Sequence, residues 1–172
     1  MFLANLFFTS AMRDFCCIDN IILMTHLMYM TLISVLFQLD LSNNYITTMD
    51  DLFGNLFHLH ELNLSNNNIK SICPTVQLLQ ELTTLNLSYN LIDEIPNTIS
   101  QLANLQHLLL HQNNLKTIAS EIGMLEHLIV LNLSNNEIVE IPESISKLTV
   151  LSKVSNSLKI KYYTNDIIAI FG

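Results

Sequence analysis

The sequence predicts an α/β solenoid, in which short repeated units stack side by side and their strands form one parallel sheet. Two observations carry this prediction, because a fixed period of about 20 to 50 residues is typical of repeat proteins. Leucines recur every 23 residues, at Leu36, Leu59, Leu82, Leu105, Leu128 and Leu151. From each of the first five, the chain repeats L-x-x-L-x-L-x-x-N-x-[IL], as LFQLDLSNNYI, LHELNLSNNNI, LTTLNLSYNLI, LQHLLLHQNNL and LIVLNLSNNEI.

The alternating leucines inside each copy predict a short strand, because residues two apart on a strand point to the same side. We number the units 1 to 5, with unit 1 at residues 36–58 and unit 5 at residues 128–150. Strands of successive units are expected to pair in parallel and to direct their leucines into a shared core. The expected buried columns are Leu39, Leu62, Leu85, Leu108 and Leu131, and beside them Leu41, Leu64, Leu87, Leu110 and Leu133.

An asparagine follows each strand at the point where the chain turns. Its amide can donate to and accept from the backbone of its own and adjacent turns, which satisfies polar groups that the turn would otherwise bury unpaired. We therefore expect a structural asparagine ladder made of Asn44, Asn67, Asn90, Asn113 and Asn136.

The second half of each unit has apolar residues at its fourteenth, eighteenth and twenty-first places, as in Ile95, Ile99 and Leu102. Pro96 and Pro142 follow an isoleucine at the same place in their units. Proline favours an extended residue before it and removes a backbone donor. These features predict short helical, 3-10 or extended segments that return the chain on the opposite side of the core.

These motifs resemble the leucine-rich-repeat family over residues 36–150. The resemblance implies a right-handed, horseshoe-shaped solenoid with a concave parallel sheet. The pattern IPxxIxxLxxL is similar to the intracellular Ras-suppressor and scribble-like subclass, which includes the LAP and plant intracellular Ras-group proteins, although Cys73-Pro74 and Ala119 depart from it. That likeness implies a scaffold in signalling or polarity complexes.

The two ends depart from the repeat. Asn20 and Ile22 keep the N-x-I signature, so residues 1–35 are expected to form an N-terminal cap that contains one degenerate unit. Residues 151–172 are a degenerate terminal unit, in which Lys159 takes the place of the asparagine. They form a C-terminal cap, or they mark the truncation of a longer chain; the sequence leaves both alternatives open.

Composition excludes some classes of partner. Seven basic and fifteen acidic side chains give a formal charge of −8, which removes the attraction to phosphates on which nucleic-acid binding depends. The uncharged stretch of residues 21–37 reaches the lower length limit of a membrane span but includes Thr25 and His26, so a span is not expected.

The cysteines and the N-terminus bear on the compartment. Cys16, Cys17 and Cys73 form an odd set without CxxC spacing, which favours a reducing, cytoplasmic compartment. Residues 1–11 could instead be a signal peptide, because residues 2–8 are largely apolar, but no basic residue precedes that run. A secreted protein therefore stays as an alternative.

No pattern in the sequence predicts chemistry. His107 and His111 lie four residues apart on an extended chain, about 13 Å, which is too far to share one metal ion. Carboxylate pairs, phosphate-binding glycine loops and zinc spacings do not occur, so we expect no cofactor and no enzymatic activity. Asn63, Asn86 and Asn132 begin Asn-x-Ser sequons, but the repeated L-N-L-S strand itself generates them, and we do not expect glycosylation.

The outward strand positions are the expected binding surface. Tyr89, His107, Leu109 and His111 stand out there, because an aromatic and an exposed leucine flanked by amides is the usual make-up of an interface centre. The residues expected to complete the surface are Glu61, Asn86, Gln112 and Asn132. A solvated face without a partner is the alternative.

The predicted function is a non-catalytic module that binds another protein through its concave strands, as a scaffold or adaptor. One alternative is the targeting or substrate-recognition part of a larger enzyme, since similar repeats accompany a deadenylase, protein phosphatases and ubiquitin ligases. Another is a secreted or surface recognition protein. The fold alone does not choose between them.

Overall fold

The computed structural model of the protein describes residues 36–49 and 51–154. Within these residues six strands form one parallel sheet in chain order. Each strand pairs with the strand one period later, so that Leu39 lies opposite Leu62, and Leu62 opposite Leu85. The predicted solenoid and its parallel sheet are therefore confirmed. The strands are β1 Gln38–Asp40, β2 Glu61–Asn63, β3 Thr84–Asn86, β4 His107–Leu109, β5 Val130–Asn132 and β6 Lys153–Val154.

The segments that return the chain contain five-residue 3-10 helices, and no α-helix occurs in the described ranges. Pro96 precedes one of them in an extended conformation, with φ −69° and ψ 147°. Its carbonyl accepts a hydrogen bond from the Ile99 N–H at 3.0 Å, which closes the first turn. The helices are Asp51–Asn55, Pro74–Leu78, Asn97–Gln101, Ser120–Met124 and Glu143–Lys147.

The core lies between the sheet and these helices as one continuous apolar cluster. In units 2 to 5 the core leucine at the centre of each strand and the core leucine directly after the strand are fully buried, at 0 to 1% exposure. In unit 1 the same two residues, Leu39 in β1 and Leu41 after it, are only partly buried. Apolar residues of the return segments, such as Val76, Ile99 and Ile122, fill the other side of the core. The leucine columns are thus in register and inside, as the spacing predicts.

The end segments expected to cap the array fall largely beyond this region: residues 1–35 and 155–172 lie outside the described residues. The same is true of nearly all of the uncharged stretch 21–37 and of Cys16 and Cys17. Within residues 36–49 and 51–154, no helix has the length and apolar character that crossing a bilayer requires.

Gly123 marks the place where the backbones of two return segments approach closely. A Cβ atom at this position would lie 2.3 Å from the carbonyl oxygen of Ser144, in the next 3-10 helix. Gly54 occupies the equivalent place three units earlier. A Cβ there would lie 3.0 Å from Leu78 Cδ1 and 3.4 Å from the Thr75 carbonyl oxygen. Backbone therefore blocks a Cβ atom at Gly123, whereas at Gly54 the nearest backbone atom is at an ordinary contact distance and the closest contact is with a flexible side chain.

We expect Gly123→Ala to lower the free energy of unfolding by about 1–3 kcal/mol, because an added methyl group must push two packed backbones apart. Gly54→Ala is the matched control, and its cost is expected to be smaller because the half-exposed Leu78 side chain can rotate away. Urea denaturation of both variants measures the difference. Equal losses would contradict the close approach at Gly123.

Candidate functional site

The ladder asparagines are turned toward the backbone, not toward solvent. The Asn90 amide nitrogen donates to the carbonyl oxygens of Leu87 at 3.1 Å, Ser88 at 3.2 Å and Leu64 of the preceding unit at 2.9 Å. Its side-chain oxygen accepts from the Ile69 N–H at 2.9 Å. Asn67 and Asn113 repeat this pattern and are equally buried. Asn44 and Asn136 are partly buried. These side chains bind the turns together and are not offered to a partner.

The outward side of the sheet, here called the strand face, has a second repeated set of hydrogen bonds, in which a serine donates to an asparagine side chain. The Asn86 side-chain oxygen accepts hydrogen bonds from the Ser88 N–H at 3.1 Å and hydroxyl at 2.7 Å. Asn132 and Ser134 make the same pair of bonds, at 3.2 and 2.8 Å. The Asn63 side-chain oxygen accepts from the Ser65 N–H at 3.1 Å. This Asn-x-Ser arrangement fixes the turn that follows these three strands, and it engages the side-chain oxygens of all three sequon asparagines.

Unit 4 lacks these side-chain hydrogen bonds, because Leu109 and His111 replace the asparagine and the serine. The His111 Nδ1 atom instead lies 3.2 Å from the Asn132 side-chain nitrogen. Since the Asn132 oxygen is held by Ser134, its amide N–H donates and His111 Nδ1 accepts. Burial lowers the pKa of His111 below its ordinary value of 6.5. The imidazole is therefore neutral at pH 7 and carries its proton on Nε2.

The residue directly after the serine position, which His111 occupies in unit 4, has a left-handed backbone in every intact unit. The φ angles lie between 54° and 58° at Asn43, Asn66, Tyr89, Gln112 and Asn135. Asparagine tolerates this conformation, whereas a long or aromatic side chain does so at a cost of about 1–2 kcal/mol. Tyr89 and Gln112 thus occupy places where the backbone favours asparagine. The fold does not explain their presence.

Tyr89 and His111 contact each other across neighbouring units. Their ring centroids lie 5.2 Å apart at an interplanar angle of 80°, an edge-to-face arrangement. Tyr89 remains 53% exposed, so its other edge is open to a partner. The two rings form one end of a shallow depression of about 460 Å³ that is open to solvent. Its lining is Asn43, Ser65, Asn66, Asn86, Ser88, Tyr89 and His111.

The predicted binding residues do not all meet at this depression. Tyr89, His111 and Asn86 line it, and Leu109 and Asn132 are register neighbours of Asn86 on the next two strands. Gln112 is exposed beside it. His107 and Glu61 instead lie at the beginning of β4 and β2, where the His107 Nδ1 atom is 3.3 Å from the Thr84 hydroxyl.

Two details of the sequence interpretation need revision. Leu109, expected to be exposed, is half-buried, because it lies between Asn86 and Asn132 in the sheet. Asn43, Ser65, Asn66 and Ser88 also line the depression, although they were not among the predicted binding residues. The recurrence of an outward asparagine at the same place in three units is the signal for two of them, Asn43 and Asn66.

Hydroxyls, neutral amides, the Tyr89 ring and the His111 imidazole line the depression. In the described contacts the imidazole Nδ1 atom lies 3.2 Å from the Asn132 amide nitrogen and is not bonded to a hydroxyl, so these side chains form no nucleophile–base pair. They are groups that can make hydrogen bonds and apolar contacts with a partner. No group of three or more His, Cys, Asp or Glu side chains in residues 36–49 and 51–154 could hold a metal ion.

Comparison with known families agrees with the repeat geometry. Leucine-rich-repeat models match residues 57–115 and, in addition, residues 36–56 and 127–148, together more than half of the chain. The chain belongs to the leucine-rich-repeat family. Repeats of this family generally serve interaction and not catalysis, which agrees with the side chains of the strand face. No curated protein gave a significant sequence match.

Many solved leucine-rich-repeat structures are similar to this chain. A Leptospira interrogans leucine-rich-repeat protein is 24% identical, with a TM-score of 0.64 over 84% of this chain and 43% of its own. The ectodomain of the Arabidopsis thaliana receptor kinase GASSHO1/SCHENGEN3, in complex with CASPARIAN STRIP INTEGRITY FACTOR 2, is 31% identical, with a TM-score of 0.66 over 70% of this chain and 15% of its own.

A third similar structure is the plant peptide hormone receptor RGFR1 in complex with RGF2. It is 31% identical, with a TM-score of 0.68 over 77% of this chain and 22% of its own. The chain thus spans less than half the length of each of these solved structures. The first supports the fold alone, and each of the two receptors was solved in complex with the molecule named above.

Proposed function

We propose that this leucine-rich-repeat chain is a non-catalytic interaction module that binds a protein or peptide through its strand face, centred on Tyr89, Leu109 and His111. One observation carries the proposal. These three residues replace the asparagine and serine that other units hold at the same places, and the sheet register brings them together.

The three replacements lower the local stability of the fold. Tyr89 holds a left-handed backbone that costs about 1–2 kcal/mol without the local hydrogen bonds of an asparagine. Leu109 and His111 remove the side-chain bonds that fix the equivalent turns in units 3 and 5. Such local costs persist where the side chains serve a function. A half-exposed tyrosine beside a leucine is the composition of an interface centre.

The other predicted binding residues lie around this centre. Asn86 and Asn132 flank Leu109 in the sheet, and Gln112 shares the left-handed strain of Tyr89. His107 and Glu61 extend the surface toward the beginning of the strands. The ladder asparagines support the turns beneath it.

The cellular setting that we propose is a cytoplasmic scaffold or adaptor of the Ras-suppressor and scribble-like type. The constant 23-residue period and the 3-10 helices that follow Pro96 and Pro142 support this subclass. In this proposal residues 1–35 and 151–172 cap the five intact units. A targeting segment of a larger enzyme would use the same strand face.

A second candidate is peptide recognition as part of a longer receptor or secreted protein. The similarity to two plant receptor ectodomains in ligand complexes, each at 31% identity, favours it. Both candidates place the partner on the strand face. They differ in whether the protein enters the secretory route, which detection of the tagged protein inside or outside cells decides.

A variant that restores the repeat pattern tests the site without damaging the fold. Tyr89→Asn, Leu109→Asn and His111→Ser together return unit 3 and unit 4 to the residues of the other units. We expect this variant to melt at the same temperature as the wild type or higher, since strain is relieved. We also expect it to lose at least about ten-fold in partner binding, because truncation of an interface centre costs 2 kcal/mol or more.

Quantitative affinity capture from a native lysate, with the wild type beside the variant, measures this loss. Tyr45→Ala with Leu91→Ala is the control, because both residues are exposed apolar groups, at 71 and 42%, that do not line the depression. Recovery of the same proteins at the same level by the wild type and the pattern-restoring variant would show that the proposed centre is wrong.

A further inference from the structure

We propose that the segment recognised by this surface is an extended basic peptide. A lysine or arginine of the peptide lies over Asp40 and Glu61, and an aromatic or aliphatic side chain about three to four residues away packs on Tyr89 and Leu109. This inference rests on the proposed function, because it names the chemistry of the partner that the same strand face takes.

Charge on the strand face is of one sign from β1 to β5, and the nearest basic residue in the sheet register is Lys153 of β6. Among the outward positions of β1 to β5 and the turns that follow them, only Asp40 and Glu61 carry formal charge, and both are exposed. They lie on adjacent strands, two residues apart in register, because Gln38 pairs with Glu61 and Asp40 with Asn63. No lysine or arginine occupies any of these positions. A cationic side chain placed here meets two carboxylates and no competing cation.

Asp40 is held ionised by hydrogen bonds from its own turn and from the neighbouring strand β2. Burial alone would raise its pKa, but hydrogen bonds from Ser42 and Asn63 outweigh that effect and keep the pKa below its ordinary 3.8. The Asp40 carboxylate accepts from the Ser42 N–H at 2.8 Å and from the Asn63 amide at 3.1 Å. These bonds also restrain the carboxylate, so less conformational entropy is lost when a cation docks.

The distance between the charged end and the aromatic end sets the spacing in the peptide. Neighbouring strands lie about 4.8 Å apart, so β1 and β3 are separated by about 10 Å across the sheet. An extended chain advances about 3.3 Å per residue, and three residues span that distance. Tyr89 also lies three residues beyond Asn86, past the end of β3, and this displacement along the strands lengthens the path. A peptide that crosses the strands therefore places its basic and apolar side chains about three to four positions apart.

The surface between the two ends suits a peptide backbone. Amides of Asn66 and Asn86 and the hydroxyl of Ser65 line the depression between them. These neutral donors and acceptors can pair with the N–H and C=O groups of an extended chain without selecting its side chains. An acidic segment would face Asp40 and Glu61 with no countercharge on these strands.

Selection from a library of random linear peptides, displayed on phage and panned on the full chain, tests the inference. The expected pool is enriched in Lys or Arg two to four residues from an aromatic or aliphatic residue. Pools without basic residues, pools enriched in acidic residues, or the absence of any enriched peptide would each overturn it.

Fluorescence anisotropy with the selected peptides then tests the two carboxylates. Asp40→Asn with Glu61→Gln introduces residue types that the same strand columns already hold at Asn63 and Gln38, so the turns stay intact. We expect affinity to fall about three- to ten-fold at about 0.05 M salt, and the loss to shrink at about 0.5 M salt. Asp93→Asn with Glu94→Gln removes the same charge from exposed sites off the sheet and is expected to change affinity less than about two-fold.

The outcomes separate the two proposals. One outcome is that peptides bind the pattern-restoring variant more weakly but bind the Asp40→Asn, Glu61→Gln variant as tightly as the wild type. This outcome would overturn the basic-peptide inference and would still support the proposed binding centre. Equal losses from both pairs of acid substitutions would show a general charge effect and would also overturn it. Peptides that bind the pattern-restoring variant unchanged would contradict the proposed centre itself.

Discussion

Leu87→Ala is expected to lower the free energy of unfolding by about 2–5 kcal/mol, the range found when a buried leucine is truncated in a core that cannot collapse around the cavity. Leu87 is 0% exposed and follows β3 in the central intact unit. Its backbone N–H donates to the Leu109 carbonyl at 2.8 Å, and the Leu64 N–H donates to Asn86 in the same way. These bonds hold the neighbouring backbones in place, so the cavity stays open.

The loss is expected to spread beyond unit 3, because each unit of a solenoid buries its flanks only against its neighbours. Thermal and urea denaturation followed by circular dichroism measure the loss, and hydrogen exchange shows which units open. Leu91→Ala, at a 42% exposed leucine of the same unit, is the control and is expected to cost less than about 0.5 kcal/mol. A melting temperature that moves by no more than the control would contradict this role of Leu87.

The register and the core follow from the sequence for a physical reason. A strand alternates its side chains with a period of two, and a constant unit length stacks equal positions, so the leucine spacing alone fixes which residues are inside. The pairing of Leu62 with Leu85 and the burial of Ile95, Ile99 and Leu102 needed no further information.

The shape of the strand face was less accessible to sequence reasoning. Hydrophobic periodicity does not report the sign of φ, so the left-handed backbone at Tyr89 and Gln112 could be inferred only from the asparagines at the same place in three other units. The half-burial of Leu109 depends on its neighbours across the sheet, Asn86 and Asn132. Most acidic residues lie off the strands, and this obscured the one-sided charge that Asp40 and Glu61 give to the face.

Asn90→Ala is expected to lower the free energy of unfolding by about 3–5 kcal/mol, although it removes only a small polar side chain. The substitution leaves the Ile69 N–H without a partner in a site where Asn90 is 6% exposed, and a buried donor left unpaired costs about 1–3 kcal/mol. The carbonyl oxygens of Leu64, Leu87 and Ser88 each lose one donor but keep another, from Asn67, Asn113 and the Asn66 N–H. Each of these lost bonds adds about 0.5–1.5 kcal/mol, and water that enters the cavity recovers part of the sum. Asn114→Ala, at an exposed asparagine that follows the ladder in the next unit, is the control, and urea denaturation measures both variants.

Asn90→Asp separates the donor role of the side chain from its size. A carboxylate can still accept from the Ile69 N–H, but it directs a negative charge at the carbonyl oxygens of Leu64 and Leu87. Burial and these carbonyls raise the pKa of such a carboxyl in the folded state, so its protonated form is favoured there. The loss of stability is therefore expected to be large at pH 7 and to shrink as the pH falls toward about 4, where a protonated carboxyl can donate one of the three bonds. A loss that does not depend on pH would mean that Asn90 acts by shape and not as a donor.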